Sequence, residues 1–158
     1  AEEVIYILED IRLPEDQTQP LYNEREIKHM LDVKNLTDNI RYLWWAATVL
    51  VVGGLVALIA RPETRLTAYQ AIYGGGWATI IILTGIALFI LIGWSFFFTF
   101  FHELLFPPGT WTFFYTDSLI RLFPEQFWFD VGVILSITPL ILGVITAIIG
   151  FFLKRSAV

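Results

Sequence analysis

The chain has 158 residues, 56% of them hydrophobic and only 16% charged, where a soluble domain carries about a quarter charged. That balance excludes an ordinary soluble globular protein, and a net charge of −5 argues against nucleic acid as a partner. With no cysteine, neither a disulfide framework nor a thiol nucleophile is available. The expectation is a single integral membrane domain over residues 1–158, all-α.

Ala1 to Asp10 is acidic and mixed, with no basic-then-apolar signal pattern. Val4, Ile5, Ile7 and Leu8 suit a short strand or a helix start, and Pro14 and Pro20 interrupt the chain beyond them. Asn23-Glu24-Arg25-Glu26 reads as a capping box, in which Asn23 and Glu26 each satisfy a free backbone N–H of the other. The helix it opens carries His29, Val33, Leu36 and Ile40 on one face. It runs into Leu43 to Ala60, 18 residues without a charge, about 27 Å long and close to the hydrocarbon thickness of a bilayer. Tyr42, Trp44 and Trp45 stand where an aromatic belt would. A second span is predicted over 77–101, opened by Gly74-Gly75-Gly76. A third covers 131–153 and contains Pro139, which should kink it. Gly132, Ser136, Gly143, Ala147 and Gly150 form a small-residue seam on the third span. Ala46, Gly53, Ala57 and Ala60 form another on the first, and such seams admit close helix packing. The predicted architecture is a small transmembrane helix bundle with interfacial amphipathic helices.

Two crossings return the chain to its starting side, so His29 and His102 share one face of the bilayer. The connector and tail carry four Lys/Arg in 21 residues, while the other side carries six diluted by fourteen Asp/Glu. Density favours the connector and tail as cytoplasmic, which makes residues 1–42 and the 102–130 loop extracytoplasmic. The raw counts point the other way, because Arg25, Lys28, Lys34 and Arg41 flank the first span.

Phe96 to Phe129 holds 14 of the 26 aromatic residues, so 102–130 reads as an aromatic interfacial loop. Asp117 to Phe129 is amphipathic and suits the membrane surface. One reading of this region is an aromatic anchor alone. The other is a shallow lipid-facing pocket with His102, Glu103, Arg121 and Asp117 as its polar groups. A lone histidine at a helix end is most simply an interfacial residue. Two on one face, each beside a glutamate, suit general-base chemistry near neutral pH. A zinc site from His29, His102 and carboxylates lacks the spacing that would support it, and no cofactor is expected. The apolar spans carry no ionisable residue inside them, which weakens a transport reading.

Pro20-Leu21-Tyr22-Asn23-Glu24-Arg25-Glu26-Ile27-Lys28-His29-Met30-Leu31-Asp32-Val33 resembles a motif of the bacterial lipoprotein intramolecular transacylases. Phe101-His102-Glu103-Leu104-Leu105-Phe106 through Gly109-Thr110-Trp111 is similar to that family's second motif. Leu119-Ile120-Arg121-Leu122-Phe123-Pro124 with Phe127-Trp128-Phe129-Asp130 is similar to its third.

The resemblance implies a multi-pass enzyme of the bacterial plasma membrane whose partners are membrane lipid and a diacylglyceryl lipoprotein. It would move the sn-2 acyl chain of the lipoprotein to its N-terminal amine. The family's two functional histidines fall on His29 and His102. On that reading His102 is the general base, oriented by Glu103, and His29 serves the oxyanion or the amine. Arg25, Glu26, Arg121 and Trp111 are the candidate substrate-binding residues. Members of the family usually have four membrane helices, so the resemblance also implies a further N-terminal one. The rival expectation is a non-enzymatic accessory subunit of a larger membrane complex, such as a respiratory or photosynthetic core. Copurification with other subunits in fixed stoichiometry would mark it.

Overall fold

A computed structural model describes residues 3–157, with side chains described from Ile7 onward. Among the described residues six α-helices occur in chain order: α1 (Glu3–Asp10), α2 (Glu24–Ala60), α3 (Arg65–Ile92), α4 (Trp94–Leu105), α5 (Ser118–Leu122) and α6 (Glu125–Ser156). A short 3-10 turn, Pro62–Thr64, joins α2 to α3. No strand occurs among the described residues beyond one isolated bridge, Arg12 with Pro20. The helices carrying the three apolar runs, α2, α3 with its preceding turn, and α6, are each long and apolar enough to cross a membrane. The protein is an all-α membrane protein.

The chain divides into two compact units. One comprises Ala1–Tyr42 and Ser95–Trp128, and the other Leu43–Trp94 and Phe129–Val158.

In the second unit α3 packs on α6 through glycine. Ser136, Gly143, Ala147 and Gly150 are all buried on α6, so the seam expected on the third span is a packing surface. A Cβ added at Gly76 would overlap the Ala147 backbone, and one at Gly150 would overlap Tyr73. Backbones this close gain dispersion contacts that longer side chains would prevent, the basis of small-residue packing in lipid. The matching seam expected on the first span is open among the described residues. A Cβ at Gly53 or Gly54 would meet nothing within 4 Å, and Ala46, Ala57 and Ala60 are exposed.

Three element boundaries differ from expectation. Gly74-Gly75-Gly76 does not open a helix, because α3 begins at Arg65 and runs through all three. Where no water can take over backbone hydrogen bonds, an intact helix outweighs glycine's poor propensity. The break falls instead at Gly93, which separates α3 from α4 inside the predicted 77–101 span. Pro124 precedes α6, so the amphipathic stretch is cut into α5 and the first turn of α6. Pro139 lies within α6, which stays helical on both sides of it.

Side chains near the α2–α3 turn cap the last carbonyls of α2. Thr64 Oγ1 donates to the Leu58 carbonyl at 2.7 Å and Arg65 Nε to that of Ile59 at 2.9 Å, satisfying acceptors that a helix end leaves open.

Gly76→Ala and Gly150→Ala should each destabilise the protein by about 1–3 kcal/mol, because the backbones must move apart. Gly53→Ala and Gly75→Ala, where the added methyl meets open space, should be near neutral. Thermal denaturation of the four variants in one detergent checks this contrast.

Candidate functional site

The site is built in the first unit, from the polar half of α2, from α4, and from the loop and short helix after α4. The expected capping box is formed. Asn23 Oδ1 accepts from the Glu26 N–H at 3.0 Å, and Glu26 Oε2 accepts from the Asn23 N–H at 2.7 Å. Glu26 is also the most deeply buried charged residue among those described, 1% exposed. Its second oxygen, Oε1, accepts from the Leu119 N–H at 2.6 Å and so ties α2 to the start of α5. Both carboxylate oxygens are therefore occupied by backbone donors, which makes Glu26 a brace of the scaffold rather than an open contact for substrate.

Arg25 stands beside this brace. Its NH2 group pairs with Asp117 Oδ2 at 3.1 Å, and that oxygen also accepts from the Phe114 N–H at 2.8 Å. The Arg25 guanidinium lies 5.5 Å from the Phe113 ring centre and 5.3 Å from that of Phe114, a cation–π arrangement that holds the loop after α4 against α2. Asn23 Nδ2 donates to Asp117 Oδ1 at 3.4 Å. Asp117 is thus the hub fixing residues 113–119.

One turn beyond Glu26 is His29, buried, with its ring stacked on His102 at a centroid separation of 6.2 Å and an interplanar angle of 27°. Phe106 and Phe113 pack on His29 at 5.0 and 5.4 Å. His102 itself packs on Phe98 at 4.1 Å and on Trp111 at 5.0 Å. Pro107 to Gly109 turns the chain so that Trp111 can fold back. Gly109 has φ +80°, a left-handed conformation that glycine adopts without strain. Thr110, buried, closes the turn by donating from Oγ1 to the Pro107 carbonyl at 2.8 Å.

The two histidines, 73 positions apart in sequence, form one aromatic-walled pair. His102 Nδ1 donates to the Phe98 carbonyl, one turn earlier on α4, at 2.7 Å. That bond fixes the neutral ring with its proton on Nδ1 and the lone pair on Nε2. Glu103 does not perform this orienting role. It is exposed, and the ring is held instead by the Phe98 carbonyl at Nδ1.

Burial lowers the pKa of His102 below 6.5, although the bond to Phe98 pulls the other way. Burial, followed by the neighbouring His102, lowers His29 as well, with Asp32 opposing. Both rings are therefore neutral at pH 7. The stability this contributes is fully present above the unfolded value near 6.5 and is lost as pH falls through the lowered folded values.

The remaining expected site residues divide. Trp111 packs on His102, Arg25 reaches the pair only through Phe113, which packs on His29, and Arg121 is exposed on α5. The stripe expected on α2 is also different. Val33 and Ile40 are exposed, and the inward face runs Glu26, His29 and half-buried Asp32. Asp32 was not among the expected site residues, although Arg25, His29 and Asp32 fall at helical spacings of four and three. No group of three or more His, Cys, Asp or Glu side chains suited to a metal occurs among the described residues.

No curated protein and no solved structure matches the chain. The model of one protein family does, over residues 5–128. The matched region is more than half of the chain, and it includes both histidines, the capping box, Arg25, Trp111 and Asp117. The chain belongs to the lipoprotein intramolecular transacylase (Lit) family.

Proposed function

We propose that this protein transfers the sn-2 acyl chain of a diacylglyceryl lipoprotein to the α-amine of the lipidated N-terminal cysteine, at the extracytoplasmic face of the bacterial plasma membrane. The observation that carries the reading is the neutral, stacked His29–His102 pair, with His102 Nε2 left as a base by the bond from Nδ1 to Phe98. The family gives the substrate class, and the aromatic walls suit acyl chains.

In this reading the substrate amine, once deprotonated, attacks the sn-2 ester carbonyl. His102 Nε2 removes a proton from the attacking nitrogen as the C–N bond forms. It returns that proton to the sn-2 oxygen as the C–O bond breaks. His29 donates to the oxyanion of the tetrahedral intermediate. Ester is exchanged for amide within one molecule, so no external reactant is consumed and the substrate mass is unchanged. Arg25 and Trp111 supply further donors near the reacting carbonyl.

Expression in a host lacking its own N-acylating enzymes, with a reporter lipoprotein, tests the reading. Fragmentation of the N-terminal peptide should place one acyl chain on nitrogen with the total mass constant. A well-expressed protein that leaves only the O-diacyl form contradicts it.

The pH dependence should follow the histidines. Because both pKa values are lowered, kcat/KM should hold as pH falls from 7 past 6.5. The acid limb should lie below the ordinary histidine value and accompany protonation of His102. An acid limb centred at or above 6.5 would mean that the base is not buried as described.

A further inference from the structure

Four buried side-chain polar atoms have no hydrogen-bond partner among the described residues: Arg25 Nε, His29 Nδ1, Asp32 Oδ2 and Trp111 Nε1. All four belong to the first unit. A buried polar atom without a partner is costly, so four within the unit that holds the histidine pair mark a place completed by something else. Three of them lie on one face of α2 over about 10 Å, at 1.5 Å per residue. They change in character along it, from the guanidinium of Arg25 through the imidazole of His29 to the carboxylate of Asp32.

The acidic groups nearby are not equivalent. Glu26 gives both oxygens to backbone N–H groups, Asp117 is committed to Arg25, Asn23 and the Phe114 N–H, and Glu103 is exposed. Asp32 alone among them combines a buried oxygen with no hydrogen bond. It lies three residues after His29, on the same face of the helix. An acceptor-only group with negative charge calls for a cation that carries N–H donors.

We infer that Asp32 is the binding group for the substrate's primary ammonium, holding it beside His29 while the ester carbonyl lies toward Arg25. This rests on the transacylase reading and adds to it the polarity with which the substrate is laid along α2. The ammonium is held until neutral His29 takes its first proton, which passes to solvent after transfer, and His102 takes the second from the attacking nitrogen. Asp32 itself gains and loses no proton, so its role is binding rather than chemistry.

The test separates binding from turnover. The full chain is placed in phosphatidylcholine nanodiscs, in which no lipid headgroup offers a primary amine. The probes are two ether-linked dialkylglyceryl-cysteine lipopeptides, one with a free N-terminus and one N-acetylated, neither able to transfer an acyl chain. Wild type should bind the free-amine probe at least about tenfold more tightly, equivalent to about 1.4 kcal/mol. Asp32→Asn should abolish that preference while leaving affinity for the acetylated probe unchanged. Asp32→Ser serves the same purpose if the asparagine variant folds poorly. A preference that survives loss of the carboxylate, or no preference in wild type, overturns the ammonium site. Acyl transfer is scored separately with an ester substrate. Preference without transfer contradicts the transacylase reading alone, and transfer without preference contradicts the ammonium site alone.

Discussion

Replacing His102 by glutamine should lower conversion of the diacyl to the lyso-form lipoprotein by at least about 100-fold, the range expected for loss of a general base. Glutamine retains hydrogen bonding and similar volume but accepts no proton, so the attacking nitrogen keeps its proton. The same change at His29 should cost less, about tenfold, because the glutamine amide still donates to an oxyanion. Glu103→Gln should have little effect, since the Phe98 carbonyl rather than Glu103 holds the His102 ring. Exposed Lys28 supplies the control on the site's own helix. Initial rates of the four variants with membrane insertion matched provide the comparison. Equal rates for His102→Gln and wild type would remove the base from its assigned residue.

The largest stability effect is expected at Glu26. Its carboxylate accepts from the Asn23 and Leu119 N–H groups at 2.7 and 2.6 Å while fully buried. Hydrogen bonds to a charged acceptor contribute about 1.5–3 kcal/mol each, and their removal strands two backbone donors. Glu26→Ala should therefore destabilise the first unit by about 3–5 kcal/mol and release α5 from α2. Activity should fall with it, because residues 113–119 hold Phe113 against His29. Glu26→Gln should be intermediate, since one oxygen remains but the amide NH2 faces a donor. Denaturation in detergent, with proteolysis of the 106–124 loop as a local probe, measures both effects. An alanine variant as stable as wild type would mean that the brace carries little.

Sequence reasoning succeeded where one physical rule dominates a segment. Charge-free runs required membrane helices, Asn23 and Glu26 had the spacing for reciprocal capping, and the seam on the third span required a close neighbour. It failed where packing or environment reversed a local preference. Glycines at 74–76 are helix breakers in water, yet they lie within α3, where a buried Gly76 admits the Ala147 backbone. The Ala46–Ala60 seam is, like the one on α6, a stripe of small residues, but the glycine within it has open space around it. Residue types alone could not distinguish the two.

At the site, counting crossings put His29 and His102 on one face, but neither the contact between the rings nor what holds each of them followed from it. A backbone carbonyl, that of Phe98, leaves no mark in the sequence, so the adjacent Glu103 attracted the role instead. Asp32 was overlooked because an aspartate on a polar helix is ordinarily solvated. Only its burial without a partner makes it informative.

Acyl migration catalysed by the histidine pair is tested most directly with purified protein and one labelled substrate. A diacylglyceryl-cysteine lipopeptide carrying an isotope-labelled chain at sn-2 is incubated with wild type and with His102→Gln, and the products are fragmented by mass spectrometry. Wild type should move the label to the N-terminal nitrogen with no change in total mass, and the variant should leave it on glycerol. Label remaining on glycerol with wild type, or released as free fatty acid, would contradict intramolecular transfer by this pair.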